Sequence, residues 1–160
     1  MHDDRGHPPA ILFLCLGNIC RSPLAEGAAR AAFAAAGIDA TLDSAGTGDW
    51  HVGHPPDARA QAEAQRRGID ISDQRARQLA PDDFRRFDLI LAADAANLRD
   101  ARAIRPADAT ARLALMLDLV PGRAGESVAD PYYGDDGGFA ATWDDVGAVA
   151  SALVASASSG

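Results

Sequence analysis

The stretch Ala10-Ile11-Leu12-Phe13-Leu14-Cys15-Leu16-Gly17-Asn18-Ile19-Cys20-Arg21-Ser22-Pro23 decides the fold. Ala10 to Leu14 form a short continuous apolar run, the pattern of a strand buried on both faces. Cys15 to Arg21 then read as a compact loop. Ser22-Pro23 reads as a helix start, with Ser22 as the N-cap, Pro23 at the first helical position and Glu26 near the first turn. The Ala-rich segment Leu24 to Ala36 is expected to be helical and to end at Gly37.

A loop that runs from a strand end to a helix start can point several backbone N–H groups at one spot. The helix N-terminus adds partial positive charge there. Gly17 permits the tight backbone such a nest needs. Arg21 adds a forked, permanently charged donor suited to phosphate oxygens. The same field should stabilise the thiolate of Cys15, and a thiolate at the floor of an oxyanion cradle is an activated nucleophile. Loop and arginine together suit a dianion whose charge spreads in the transition state. The spacing Cys-x5-Arg alone is a weak signal, and by itself it favours a buried Cys beside a surface Arg. The strand before it and the helix after it reverse that balance.

Working outward, Ala40–Ala45 reads as a second strand, Asp57–Arg67 as a helix stopped by Gly68, and Pro81–Arg85 as one short helical turn. Phe87–Ala92 reads as a third strand, Ala95–Ala103 as a helix, Leu113–Leu117 as a fourth strand and Phe139–Ala155 as the last helix. Gly46–Pro56 and Val120–Gly138 read as loops. Short apolar runs alternating with helices imply βαβ units with right-handed crossovers. The expected fold is a single α/β domain of three layers. It has a four-stranded parallel sheet, helices on both faces and a phosphate-binding loop after the first strand. Ligands of such sheets bind at the carboxyl ends of strands, where Cys15 stands. Residues 1–9 read as a flexible tail and 10–157 as the domain.

Composition sets outer bounds. At 160 residues, 48% hydrophobic and 24% charged, the chain has the size and balance of one globular domain. No apolar run approaches the ~20 residues a membrane helix needs. The first nine residues lack the basic-then-apolar order of a signal peptide, so a cytoplasmic protein is expected. The net charge of −8 argues against bulk nucleic-acid binding. The two cysteines, Cys15 and Cys20, are too few and too close for a disulfide-stapled fold. Every one of the 15 basic residues is Arg, which with the Ala excess points to a G+C-rich coding sequence and a bacterial source.

The segment Leu14 to Pro23 resembles the signature loop of the low-molecular-weight protein tyrosine phosphatases. The likeness continues through Asp43-Ser44-Ala45-Gly46-Thr47, Asp49-Trp50-His51-Val52-Gly53, Ala76-Arg77-Gln78, Asn97-Leu98-Arg99-Asp100 and Asp130-Pro131-Tyr132-Tyr133-Gly134, in family order. It implies that Cys15 is the nucleophile and forms a phosphocysteine, and that Arg21 binds the phosphoryl oxygens. Leu16, Gly17, Asn18, Ile19, Cys20 and Ser22 would form the phosphate loop. Asn18 and Ser22 would hold loop and thiolate, with Ser44 reaching over to Asn18.

The resemblance further makes Asp130 the general acid and then the base; local spacing alone reads it as a turn residue before Pro131. Trp50 and Tyr132 would be the aromatic walls for a phosphotyrosine ring, and both fall in expected loops, where aromatics often mark binding. Cys20 would be a resolving thiol that traps an oxidised Cys15, against the plain alternative of an apolar filler. The family commonly has a His that helps fix the loop through Asn18; here Gln74 stands in its place, able to donate and accept but not to carry charge. The four His form no metal-ligand cluster, and no metal or other cofactor is expected. The implied substrate is a phosphotyrosine-containing protein, handled by a monomer without nucleic acid or membrane.

Three other functions compete. Arsenate reduction uses a similar loop but further cysteines, and none follows Cys20. Phosphoarginine hydrolysis, in a sister branch, tends to have Thr where Ile19 stands and to lack the Tyr pair. A phosphate-binding relic would have lost Cys15, Arg21 or Asp130.

Overall fold

The computed structural model describes residues 7–132 and 137–159. Residues 1–6 of the expected tail, and Tyr133 and Gly134 of the expected motif, lie outside them. Four parallel strands, β1 (Ala10–Cys15), β2 (Thr41–Gly46), β3 (Leu89–Ala92) and β4 (Arg112–Leu115), pair in the order β2-β1-β3-β4. The helices are α1 (Arg21–Ala36), α2 (Ala58–Arg66), α3 (Asp83–Arg86), α4 (Ala95–Ala103) and α5 (Gly137–Ser159), with a 3-10 turn at Met116–Leu119.

The central strands are apolar throughout because both faces are covered. Ile11 and Phe13 of β1, with Leu89 and Leu91 of β3, point into one core, built with Leu24 and Phe33 of α1 and Phe139, Val149 and Leu153 of α5. Leu12, Leu14, Ile90 and Ala92 point the other way, onto Phe84, Phe87 and Ala101. Alternation at period two thus fills both cores from one unbroken apolar run. α5 packs along α1, and no helix among the described residues is long and apolar enough to cross a membrane.

Several boundaries differ from the sequence reading. β3 starts at Leu89, because Phe87 closes α3 and Asp88 spends its backbone N–H on the Ala10 carbonyl. β4 ends at Leu115, where Asp118 accepts the Leu115 N–H at 3.0 Å and turns Met116 and Leu117 into the 3-10 turn. α5 starts before Phe139 and runs on to Ser159. Pro9 already joins the sheet, its carbonyl accepting the Thr41 N–H at 2.8 Å.

The start of α1 is the main correction. Its N-cap is Cys20, which makes no side-chain capping bond, and Ser22 lies inside the first turn. The hydroxyl of Ser22 is engaged elsewhere, in the site below. Gly37 does end the helix, in the left-handed conformation with φ of 69°.

Candidate active site

The phosphate loop hangs between the carboxyl end of β1 and the start of α1. Neighbouring backbone fixes its edges. Thr47 donates to the Cys15 carbonyl and Gly48 to the Leu16 carbonyl, each at 2.9 Å, and Asp57 donates to the Ile19 carbonyl at 2.9 Å. The left-handed residue of the loop is Asn18, at φ 58°, rather than Gly17. Asn tolerates that conformation better than most side chains. Gly17 serves by having no side chain: a Cβ there would meet the His51 ring at 3.0 Å.

Asn18 is the hub. Its Nδ2 donates to Ser22 Oγ at 2.8 Å and to Ser44 Oγ at 2.9 Å, and its Oδ1 accepts the Arg77 backbone N–H at 3.0 Å. Because Ser22 Oγ accepts from Asn18, its own proton is free for Cys15 Sγ, 3.0 Å away, or for the Ala45 carbonyl at 3.5 Å. The shorter contact is the one to sulfur. One polar chain therefore runs Ser44, Asn18, Ser22, Cys15. Burial is the main influence on Glu26 and holds its carboxyl above the ordinary value, against its bond to Arg30 at 2.8 Å.

Arg21 is buried yet charged. Nη1 donates to Asp94 Oδ2 at 2.7 Å and to the Val128 carbonyl at 3.0 Å, and Nη2 lies 3.6 Å from Asp130 Oδ2. Burial opposes its charge, but Cys15, Asp94 and Asp130 outweigh that and keep it protonated. Asp130 sits at the mouth, with Oδ1 accepting the Tyr132 N–H at 3.0 Å. Cys20 is a free, buried thiol. Desolvation, then the negative charge of Asp57, pushes it far above the ordinary thiol range.

These groups share one cleft of about 420 Å³, lined by Cys15, Leu16, Gly17, Ile19, Cys20, Arg21, Trp50, His51, Asp130 and Tyr132. Gln74 stands apart from Asn18: its Nε2 donates to the Pro23 carbonyl at 3.2 Å, in the first turn of α1. Sequence reasoning missed Asp94, Arg77, Glu26, Asp57 and Arg59. Asp94 carried a usable signal, since it follows a strand and precedes a helix. Arg77 did not. Its guanidinium forks onto buried Asp83, both bonds at 3.0 Å, and so fixes the backbone N–H that Asn18 accepts. That is a purely tertiary arrangement.

A cysteine sulfur beside a hydroxyl, with a buried arginine at the open end of a helix, is an arrangement able to hold an oxyanion and to supply a nucleophile. Residues 10–159 match the family model of the low molecular weight phosphotyrosine protein phosphatases. The chain is 42% identical over 132 residues to the low molecular weight phosphotyrosine protein phosphatase of Schizosaccharomyces pombe, covering 81% of this chain and 84% of that protein. The crystal structure of YfkJ from Bacillus subtilis superposes with a TM-score of 0.87 at 38% identity, over 95% of this chain and 96% of that one. A Drosophila arginine phosphatase superposes at 0.85 with 29% identity, over 91% and 96%. The chain belongs to the low molecular weight phosphotyrosine protein phosphatase family.

Proposed function

We propose that this chain hydrolyses phosphotyrosine in proteins, and small aryl phosphates, through a cysteinyl-phosphate. The Cys15 thiolate attacks phosphorus as the bond to the phenolic oxygen breaks. Arg21 and the backbone N–H groups of Leu16 to Ser22 hold the three remaining oxygens. Asp130, protonated, gives its proton to the leaving phenolate. Water then attacks the phosphocysteine, Asp130 takes the water's proton, and inorganic phosphate leaves as the thiolate is restored. Trp50 and Tyr132 grip the ring. Ser44 steadies Asn18, and Gln74 supports the loop through the first turn of α1.

The observation that carries this reading is the 3.0 Å contact of Cys15 Sγ with Ser22 Oγ inside a cleft that also holds Arg21 and Asp130. Hydrolysis of p-nitrophenyl phosphate at mildly acidic pH, with a chelator present, tests it. Wild-type turnover that Cys15→Ser abolishes supports it; activity retained in Cys15→Ser overturns it.

The arginine phosphatase fold match keeps a phosphoarginine substrate as the second reading. Ile19 and the Tyr132 wall favour the aryl ester, and side-by-side rates on phosphotyrosine and phosphoarginine decide. For Cys20 we propose the resolving role: peroxide converts the Cys15 thiolate to a sulfenic acid, and Cys20 displaces water from it to form a disulfide. Dithiothreitol should then restore wild-type activity after a peroxide pulse but not that of Cys20→Ser. The enzyme is inferred to act as a metal-free monomer in a bacterial cytoplasm.

A further inference from the structure

We propose that the rim of the cleft is an apolar docking surface for the substrate chain, which selects phosphotyrosines flanked by a large apolar residue. The proposal rests on the phosphotyrosine reading and names which phosphotyrosines are favoured.

Among the described residues, four large hydrophobics stay exposed: Leu16 at 42%, Trp50 at 67%, Val52 at 53% and Ile104 at 41%. Single exposed apolar side chains need no explanation. Three of these four, however, come from two segments that are tied together beside the nucleophile. Gly48 N–H donates to the Leu16 carbonyl at 2.9 Å. A side chain on Gly48 would overlap the Trp50 ring, so the indole lies folded over bare backbone at that place. Leu16 and Trp50 both line the cleft. Val52 belongs to the same turn, its N–H donating to the Asp49 carbonyl, and it directly follows His51, whose ring rests against Gly17.

The occupant follows from continuity with the cleft. The loop fixes the phosphorus and the walls fix the ring, so the residues on either side of the phosphotyrosine must cross this rim. An apolar side chain there removes its own surface and that of Trp50 and Val52 from water. An acidic one meets Asp49 in the turn, Asp130 in the cleft and a chain of net charge −8. His51 and His54, with ring centres 5.8 Å apart, are the groups that would pull the other way.

The test compares phosphotyrosine peptides of equal length with Leu or Asp on both sides of the phosphotyrosine, by kcat/KM. Wild type should prefer Leu by about tenfold. Val52→Asp should erase most of that preference while leaving p-nitrophenyl phosphate turnover unchanged. Ile104→Asp, at the far end of α4 from Asp94, should leave the preference intact. Equal rates on the two peptides, a preference for Asp, a preference that survives Val52→Asp, or turnover of the aryl phosphate with neither peptide accepted would each overturn the docking surface. No turnover of any of the three substrates would instead overturn the phosphotyrosine reading itself.

Discussion

The guanidinium carbon of Arg59 lies 5.3 Å from the centre of the Tyr132 ring and 4.9 Å from that of Phe139. Asp57 holds the same guanidinium, through Nε at 3.1 Å and Nη2 at 3.2 Å, and also accepts the Arg59 backbone N–H at 2.8 Å. Asp57 in turn donates its N–H to the Ile19 carbonyl. One residue pair thus joins the loop after β1, the start of α2 and the Tyr132 ring. An exposed cation–π contact is worth ~0.5–1 kcal/mol, a factor of about two to five. Arg59→Ala should raise KM for aryl phosphates by about that factor with kcat little changed, and Arg59→Lys should recover part of it. Steady-state kinetics with p-nitrophenyl phosphate reads both; a fall in kcat at constant KM would contradict the assignment.

Asp94 has two tasks on two oxygens. Oδ1 caps α4 by accepting the Asn97 N–H at 2.8 Å, and Oδ2 holds Arg21 at 2.7 Å. Asp94→Asn keeps a capping oxygen but removes the negative charge that holds Arg21 in place. It should weaken inhibition by inorganic phosphate several-fold at nearly unchanged stability. Asp94→Ala should lose the same affinity and about 1 kcal/mol of stability besides. Phosphate inhibition constants and urea midpoints separate the two tasks.

Asp130 is assigned the proton donor, and its replacement should depend on the leaving group. Asp130→Ala should slow phenyl phosphate turnover by about 10² to 10⁴, and substrates with good leaving groups much less. Equal slowing across a series of substituted phenyl phosphates would sink the acid role.

Glu26 makes a pH-dependent contribution of definite sign. Its carboxyl is raised in the folded state, first by burial, above the ordinary value of 4.5. The folded state therefore holds this proton more tightly than the unfolded chain. Ionised Glu26 costs stability at neutral pH, and that cost is relieved as pH falls through the folded value toward 4.5. Wild type should gain on Glu26→Gln between pH 7 and pH 5 in urea unfolding; a difference that is flat or runs the other way refutes the buried-carboxylate account.

Most of the frame was legible because it is written locally. The run Ala10 to Leu14 alternates into two cores, and Ala95–Ala103 emerged with the bounds read from sequence. Strand ends and the start of α1 were not legible, because each is set by one specific hydrogen-bond partner that periodicity does not show. Asp118 stops β4, Asp88 meets Ala10, and Ser22 turns to Cys15. The cleft was legible where a motif places its residues on one loop. Arg77, through its backbone N–H, and Arg59, through its side chain, reach the site from separate segments by contacts that no spacing encodes.

The diversion of Ser22 has a cost for the helix it belongs to. A hydroxyl that could have capped α1 serves the sulfur instead, and Cys20 provides no substitute. Reactivity and helix stability thus compete for a single group. An oxyanion seated in the loop takes over the part a capping side chain plays in other helices. Inorganic phosphate is then both the product of the reaction and a stabiliser of the fold. Product inhibition and protection against heat become two readings of one binding constant, so each tenfold rise in phosphate above that constant should add about 1.4 kcal/mol to stability.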